Sequence, residues 1–141
     1  MEGKSTDDLR RELSGENSIE TYLKKNEAFF LRRCVPELLD ELYAKRSITK
    51  AELARRAGMS EVYLHQLFSG RRKPSRDRLL CICVGLEATL AETQRLLEQA
   101  TFAQLYPRIK REAIISYGLE HRMTLDEIND RLFTENEKTL C

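Results

Sequence analysis

The chain has 141 residues, 41% hydrophobic and 33% charged, which is enough for one domain or one small domain with extensions. That balance describes a soluble protein with a real core. No apolar run approaches the roughly 20 residues that span a bilayer, and the acidic, polar N-terminus does not read as a signal peptide. A net charge of only +1 excludes a uniformly basic surface, so any nucleic-acid role must come from how the charge is distributed.

The pattern is helical from the start. STDDLRREL forms a short helix opened by Ser5 or Thr6, and the turn-prone SGENS follows. A second helical stretch runs over roughly residues 18–30, capped by Ser18. The apolar content of this arm is modest and leaves its packing open; Phe29 and Phe30 read as core or interface before a base-stacking platform. Pro36 suits the first turn of a third helix, in which Leu38, Leu39, Leu42 and Tyr43 share a face through about residue 45.

ITKAELARRAGMSEVYLHQLF at 48–68 is the most informative stretch. Thr49 is an N-cap, and Glu52 three residues on has the spacing of a capping box. Leu53, Ala54 and Ala57 fall on one face. Gly58 stands where the chain must turn, a position where a positive φ is cheap for glycine. Ser60 caps a second helix with Leu64, Leu67 and Phe68 buried, leaving Ser60, Glu61, Val62, Tyr63 and Gln66 near its outer, N-terminal side. Small alanines let the two helices cross closely, as a helix-turn-helix requires, and that geometry presents a helix to the major groove of DNA.

Charge distribution supports the same reading. Residues 45–78 hold Lys45, Arg46, Lys50, Arg55, Arg56, Arg71, Arg72, Lys73, Arg76 and Arg78 against Glu52, Glu61 and Asp77, a local +7 that leaves −6 for the rest. A basic cluster alone is more often a solvated face; its coincidence with the helix-turn-helix pattern favours a phosphate-binding surface.

Ser75, after Pro74, opens a further helix with Leu79, Leu80, Ile82, Cys83 and Leu86 available to the core. Beyond it lies a weak repeat, GLEATLAETQRLL at 85–97 and GLEHRMTLDEINDRL at 118–132, with two extra residues after the shared GLE. Thr89 with Glu92, and Thr124 with Glu127, repeat the capping-box spacing. Each unit reads as a helix ending near Gly-Leu-Glu followed by a capped helix, burying Leu90, Leu96 and Leu97, then Leu125, Ile128 and Leu132. The intervening helix spans about 108–119, begins near Pro107, and turns Ile109, Ala113, Ile114 and Tyr117 inward. Two units are too few for a solenoid, so the second is a helical hairpin packed on the first or a partner surface.

The remaining chemistry is sparse. Cys81 and Cys83, two apart in a helical run, point to different faces and suit neither a disulfide nor a chelate with each other. They read as small buried hydrophobes in a reducing cytosol, and Cys141 as a candidate exposed thiol. His65 and His121 have no second ligand at metal spacing and read as surface residues. No glycine-rich phosphate loop and no nucleophile with a positioned histidine is present, so neither an enzyme, a metal nor a cofactor is expected.

Residues 36–88 resemble the Cro/C1-type helix-turn-helix domain of phage repressors and related bacterial regulators, the XRE family. The matching residues are Leu53, Ala54 and Gly58 around the turn, Leu64 and Leu67 in the second helix, and the run SGRRKPSRDRLL at 69–80. The resemblance implies an all-α protein with a five-helix lambda-repressor-like domain over 35–100, closing with a helix at 90–99. It leaves a helical N-terminal arm at 1–34 and a C-terminal helical hairpin at 101–141 whose roles it does not define. It also implies that 61–68 is the recognition helix. Ser60, Glu61, Val62 and Gln66 then face base edges: Gln66 suits adenine, Glu61 a cytosine amino group, Val62 a thymine methyl. Lys50, Tyr63, Arg71, Arg72 and Lys73 are implied phosphate contacts. The recognition helix departs from a guanine reader in lacking Lys and Arg and in carrying Glu61, which repels phosphate.

The function expected is a cytoplasmic, sequence-specific DNA-binding transcriptional regulator. It would bind double-stranded DNA as a homodimer on a short palindrome. The alternative is a protein-interaction adaptor or antitoxin-like module, with a protein partner on the C-terminal helices.

Overall fold

A computed structural model describes residues 4–16, 18–26 and 34–141. The chain divides into two compact units, Met1–Arg32 and Arg33–Cys141. Every described regular element is an α-helix.

The first unit contains α1 (Thr6–Gly15) and α2 (Ile19–Lys25), opened by Ser5 and Ser18 through side-chain caps. What orders it is polar. The buried Asn26 donates from Nδ2 to Glu12 Oε2 (2.9 Å) and Tyr22 O (3.2 Å), and its Oδ1 accepts from Lys4 Nζ (2.7 Å). Burial of an amide is tolerable because both ends of it are satisfied. The expected helix over 18–30 closes at Lys25; Phe29 and Phe30 lie outside the described residues.

The second unit runs α3 (Val35–Ala44), α4 (Lys50–Arg56), α5 (Glu61–Ser69), α6 (Arg76–Gly85), α7 (Leu90–Gln99), α8 (Lys110–Glu120) and α9 (Leu125–Thr134). One continuous apolar core extends from Leu38 to Leu140 and includes residues of every one of these helices. At its centre is α6, packed by α4, α7 and α9. Leu79 to Gly85 are all buried, so beyond its half-buried polar first turn α6 has no polar face, and its burial goes beyond the expected Leu79, Leu80, Ile82 and Cys83. Burial pushes the Cys81 and Cys83 thiols up to about 12, which keeps both neutral, as small core side chains.

Helix ends follow local chemistry closely. Ser60, Ser75, Thr89 and Thr124 each accept from the backbone N–H three residues on, and Thr89 and Thr124 complete reciprocal boxes with Glu92 and Glu127. At Thr49 only half the expected box forms: the hydroxyl caps Glu52 N, but the Glu52 carboxylate turns to Arg55 and Arg56. Six helices close through a left-handed residue, Gly58, Gly70, Glu87, Thr101, Arg122 and Asn136. In all but the Gly70 case the following N–H bonds back five positions, at 2.8–3.0 Å.

These closures place the repeat differently from its letters. Thr89 and Thr124 are equivalent, as are Glu87 and Arg122, whereas the two Gly-Leu-Glu triplets fall two residues out of register. Gly85 ends α6, but Gly118 lies inside α8, where a Cβ would come within 2.5 Å of Ile128 Cγ1. The face of α8 is also rotated from expectation. Glu112, Ile115, Gly118 and Leu119 are buried, while Ile109 and Tyr117 are exposed. The reason is non-local: Gly118 admits α9, and Glu112 is drawn inward by Arg76, whose Nη1 donates to Glu112 Oε2 at 2.8 Å. One residue along, Arg111 reaches Asp77 with both Nη atoms (3.2 and 3.0 Å), so two adjacent ion pairs of opposite polarity fasten α8 to the start of α6.

Candidate nucleic-acid interface

Helices α4 and α5 meet across the turn at 57–60. Gly58 adopts φ +67°, and Met59 N donates to Ala54 O at 3.0 Å. A Cβ at Gly58 would lie 3.0 Å from Leu125 Cδ2 and 3.3 Å from Cys141 Sγ, so α9 and the segment after it floor the turn. Leu53, Ala54 and Ala57 face Leu64, Leu67 and Phe68 in the core. With that stripe inward, the positions of α5 most nearly opposite are Val62, Gln66 and Ser69, because residues three to four apart share a helix face. Val62 is 68% exposed.

The two flanks of α5 differ in charge. On one, Glu61 faces His65 Nε2 at 3.7 Å. On the other, Tyr63 lies against two guanidinium groups, Arg72 at 5.6 Å and Arg78 at 5.5 Å from its ring centre. Ser60 spends an acceptor lone pair on Tyr63 N (3.1 Å), which leaves its hydroxyl hydrogen free to donate. Gln66 Oε1 accepts from Arg72 Nε at 2.7 Å.

At the far end of the helix, Gly70 turns the chain at φ +83° and the exposed Arg71, Arg72 and Lys73 follow, anchored by the buried Pro74. Lys50, at the first position of α4, sits over the Phe68 ring (4.2 Å) and the Tyr43 ring (4.8 Å). Those rings are packed edge to face, and Tyr43 Oη donates to Ile48 O at 2.5 Å. Lys50 is thereby held near the C-terminal end of α5, on the side of the loop.

The ten cations of the basic stretch separate into two groups. Lys45 and Arg46 pair with Glu92, Arg55 and Arg56 with Glu52, and Arg76 with Glu112. Hydrogen bonds from Arg55, then Arg56, hold the Glu52 carboxyl down at about 2, so it stays an anion bound to its partners. Arg46 does the same to Glu92, also at about 2. Lys50, Arg71, Arg72, Lys73 and Arg78 pair with no carboxylate among the described residues, and all five border α5 or its following loop.

Four of those five were expected from the sequence; Arg78 was not. A signal for it exists. Arg76 and Arg78 stand in the first turn of α6, where the helix dipole disfavours a cation. Arg76 is compensated by Glu112; Arg78 has only the Tyr63 ring and an open recess lined by Gly58, Met59 and Ser60. Among the described residues no group of His, Cys, Asp and Glu could hold a metal ion, and no helix is long and apolar enough to cross a membrane.

Residues 37–96 match a family model described as a helix-turn-helix domain. The match runs from α3 into α7 and contains α4, the glycine turn, α5 and the basic loop, so this part of the chain is a helix-turn-helix domain. No curated protein and no solved structure matches the chain. Such a domain offers its second helix to the major groove, and DNA is the class of ligand it suggests.

Proposed function

We propose that this helix-turn-helix domain makes the protein a sequence-specific DNA-binding transcriptional regulator of the Cro/C1 type, acting by binding and not by catalysis. In this reading α3–α7 are the five helices of a lambda-repressor-like domain at 35–100. Residues 1–34 are an N-terminal arm, and 101–141 are an extension built onto the same core. Helix α5 enters the major groove with Ser60, Glu61, Val62 and Gln66 toward base edges. Lys50, Arg71 and Lys73 grip phosphates, and Tyr63 with Arg78 holds the backbone at the other end of the helix. A homodimer would place two such helices about one DNA turn apart on a palindrome.

The observation that carries this reading is the sorting of the cations. Those without a carboxylate partner are gathered around α5, whereas the others neutralise acids of the fold. Selection of bound sequences from random duplex DNA tests it. A recurring palindrome, with affinity falling steeply as salt rises, is the expected result. Failure to enrich any sequence, together with no gel retardation at low salt, would rule it out.

A protein partner is the second reading, and one observation favours it. Tyr106, Ile109, Tyr117 and Phe133 are exposed around α8 and α9, Phe133 at 77%, and His121 stacks on Tyr117 at 3.8 Å. A groove between Ala113, Ile114, Met123 and Arg131 runs beside them. Capture of one defined protein that survives Gln66→Ala but is lost with Phe133→Ala would support an adaptor role. Capture unaffected by Phe133→Ala would remove it.

A further inference from the structure

We propose that Arg72 reads a base, not a phosphate, and that it reads guanine as one unit with Gln66. The inference rests on the reading of α5 as the groove-facing helix. It changes what that helix recognises, because α5 itself contributes no Lys or Arg, and Gln66 taken alone points to adenine.

Three cations stand side by side at 71–73, and only one is folded back onto α5. Arg71 and Lys73 are exposed and bond to nothing among the described residues. Arg72 is fastened to Gln66 twice. Its backbone N–H donates to Gln66 O at 3.2 Å, and its Nε donates to Gln66 Oε1 at 2.7 Å. Its guanidinium also lies 5.6 Å from the centre of the Tyr63 ring. Gln66 is on the face of α5 opposite the buried stripe, so the contact lays an arginine from the loop along the outward side of the helix.

The donor inventory then decides the chemistry. With Nε committed to Gln66, Arg72 keeps the edge formed by its two Nη groups, whose parallel N–H bonds match O6 and N7 of guanine. Gln66 has committed its carbonyl oxygen. One lone pair of that oxygen is taken by Arg72, so an adenine contact by Gln66 would have to share the oxygen with the arginine. The glutamine acts as a positioning residue for the arginine. A guanidinium already fixed on one side by a hydrogen bond and on one face by a ring loses little further freedom on binding. Arg78, on the same Tyr63 ring, remains available for the phosphate contact that Arg72 gives up.

Sequence selection and salt titration, run together on the full chain, separate the two roles. The wild type is expected to select guanine at one position of each half-site. Arg72→Ala should lose that preference by about tenfold or more while other positions hold, with a nearly unchanged salt slope. Gln66→Ala should relax the same position, and the double variant should be no worse than Arg72→Ala. Arg71→Ala is the contrast: it should weaken all sequences alike and flatten the slope by about 0.9 per protomer, about 1.8 for the dimer. The proposal is overturned if Arg72→Ala keeps the wild-type sequence preference and flattens the slope as Arg71→Ala does. It is equally overturned if the wild type selects adenine at a position that only Gln66→Ala relaxes. A wild type that binds no duplex fails earlier, at the premise, and is told apart by the absence of any complex. Circular dichroism of each variant confirms that the exposed substitutions leave the fold intact.

Discussion

Arg72 and Arg76 lie four residues apart, carry the same charge and have opposite surroundings. Arg76 is 21% exposed and spends its guanidinium inside the fold, on Glu112, on Ala103 O at 2.8 Å and on Gln104 O at 3.0 Å. Arg72 meets no carboxylate and is laid along the outer side of α5. The same contrast separates Arg46, bonded to both oxygens of Glu92 and to Leu86 O, from Lys50 at the edge of the motif. A local charge of +7 therefore overstates what is offered to a ligand. Part of it neutralises the acids that the rest of the chain brings in.

The contrast can be broken most severely at Arg76. Arg76→Ala removes a part-buried partner of Glu112 and three hydrogen bonds, and should lower unfolding stability by about 3 kcal/mol. Arg72→Ala should change it by less than about 0.5 kcal/mol. Urea melts of the two variants check this, and equal losses would erase the distinction. Gly118→Ala probes the other side of the same clamp. Its Cβ would force α9 from α8 at Ile128, for an expected loss of about 2 kcal/mol in the same melts.

Acid should affect the Arg46 pair in a defined direction. Glu92 is held at about 2, below its ordinary 4.5, chiefly by the hydrogen bonds from Arg46. A carboxylate depressed on folding stabilises fully above its unfolded value, and that contribution is lost as pH falls toward the folded one. Between about pH 4.5 and pH 2 the wild type should therefore lose stability more steeply than Glu92→Gln, which lacks this titration. Parallel curves would show that the pair contributes nothing to folding. The smallest effect on the fold is expected from Arg71→Ala with Lys73→Ala. Stability should stay within about 0.5 kcal/mol, while the salt slope of DNA binding flattens by about 1.8 per protomer, about 3.6 for the dimer. Anisotropy titrations over a range of salt concentrations measure it.

Some of this was legible in the residues and some was not. The two helices of the motif, their buried stripe and the glycine turn all stand where Leu53, Ala54, Gly58, Leu64 and Leu67 put them. Periodicity went astray at α8, where Ile109 and Tyr117 have helical spacing and apolar character yet face out. Neither α8 nor α3 has a side-chain cap, so at α8 only Pro107 hints at the start and nothing local marks the face. The Gly-Leu-Glu likeness misled for a related reason. One glycine ends a helix and the other clears space for a neighbour, and identical letters do not distinguish the two uses.

What the sequence determined by itself is where seven helices begin. Ser5, Ser18, Thr49, Ser60, Ser75, Thr89 and Thr124 each cap a backbone N–H three residues ahead, within reach of the residue's own side chain. What only the tertiary structure decided is which cations remain available. The partners of Arg46 and Arg76 lie 46 and 36 positions away. Which acid meets which base depends on how α7 and α8 pack around α6, and no local pattern carries that information. Capping is settled over about one helical turn, whereas charge pairing is settled by the packed core.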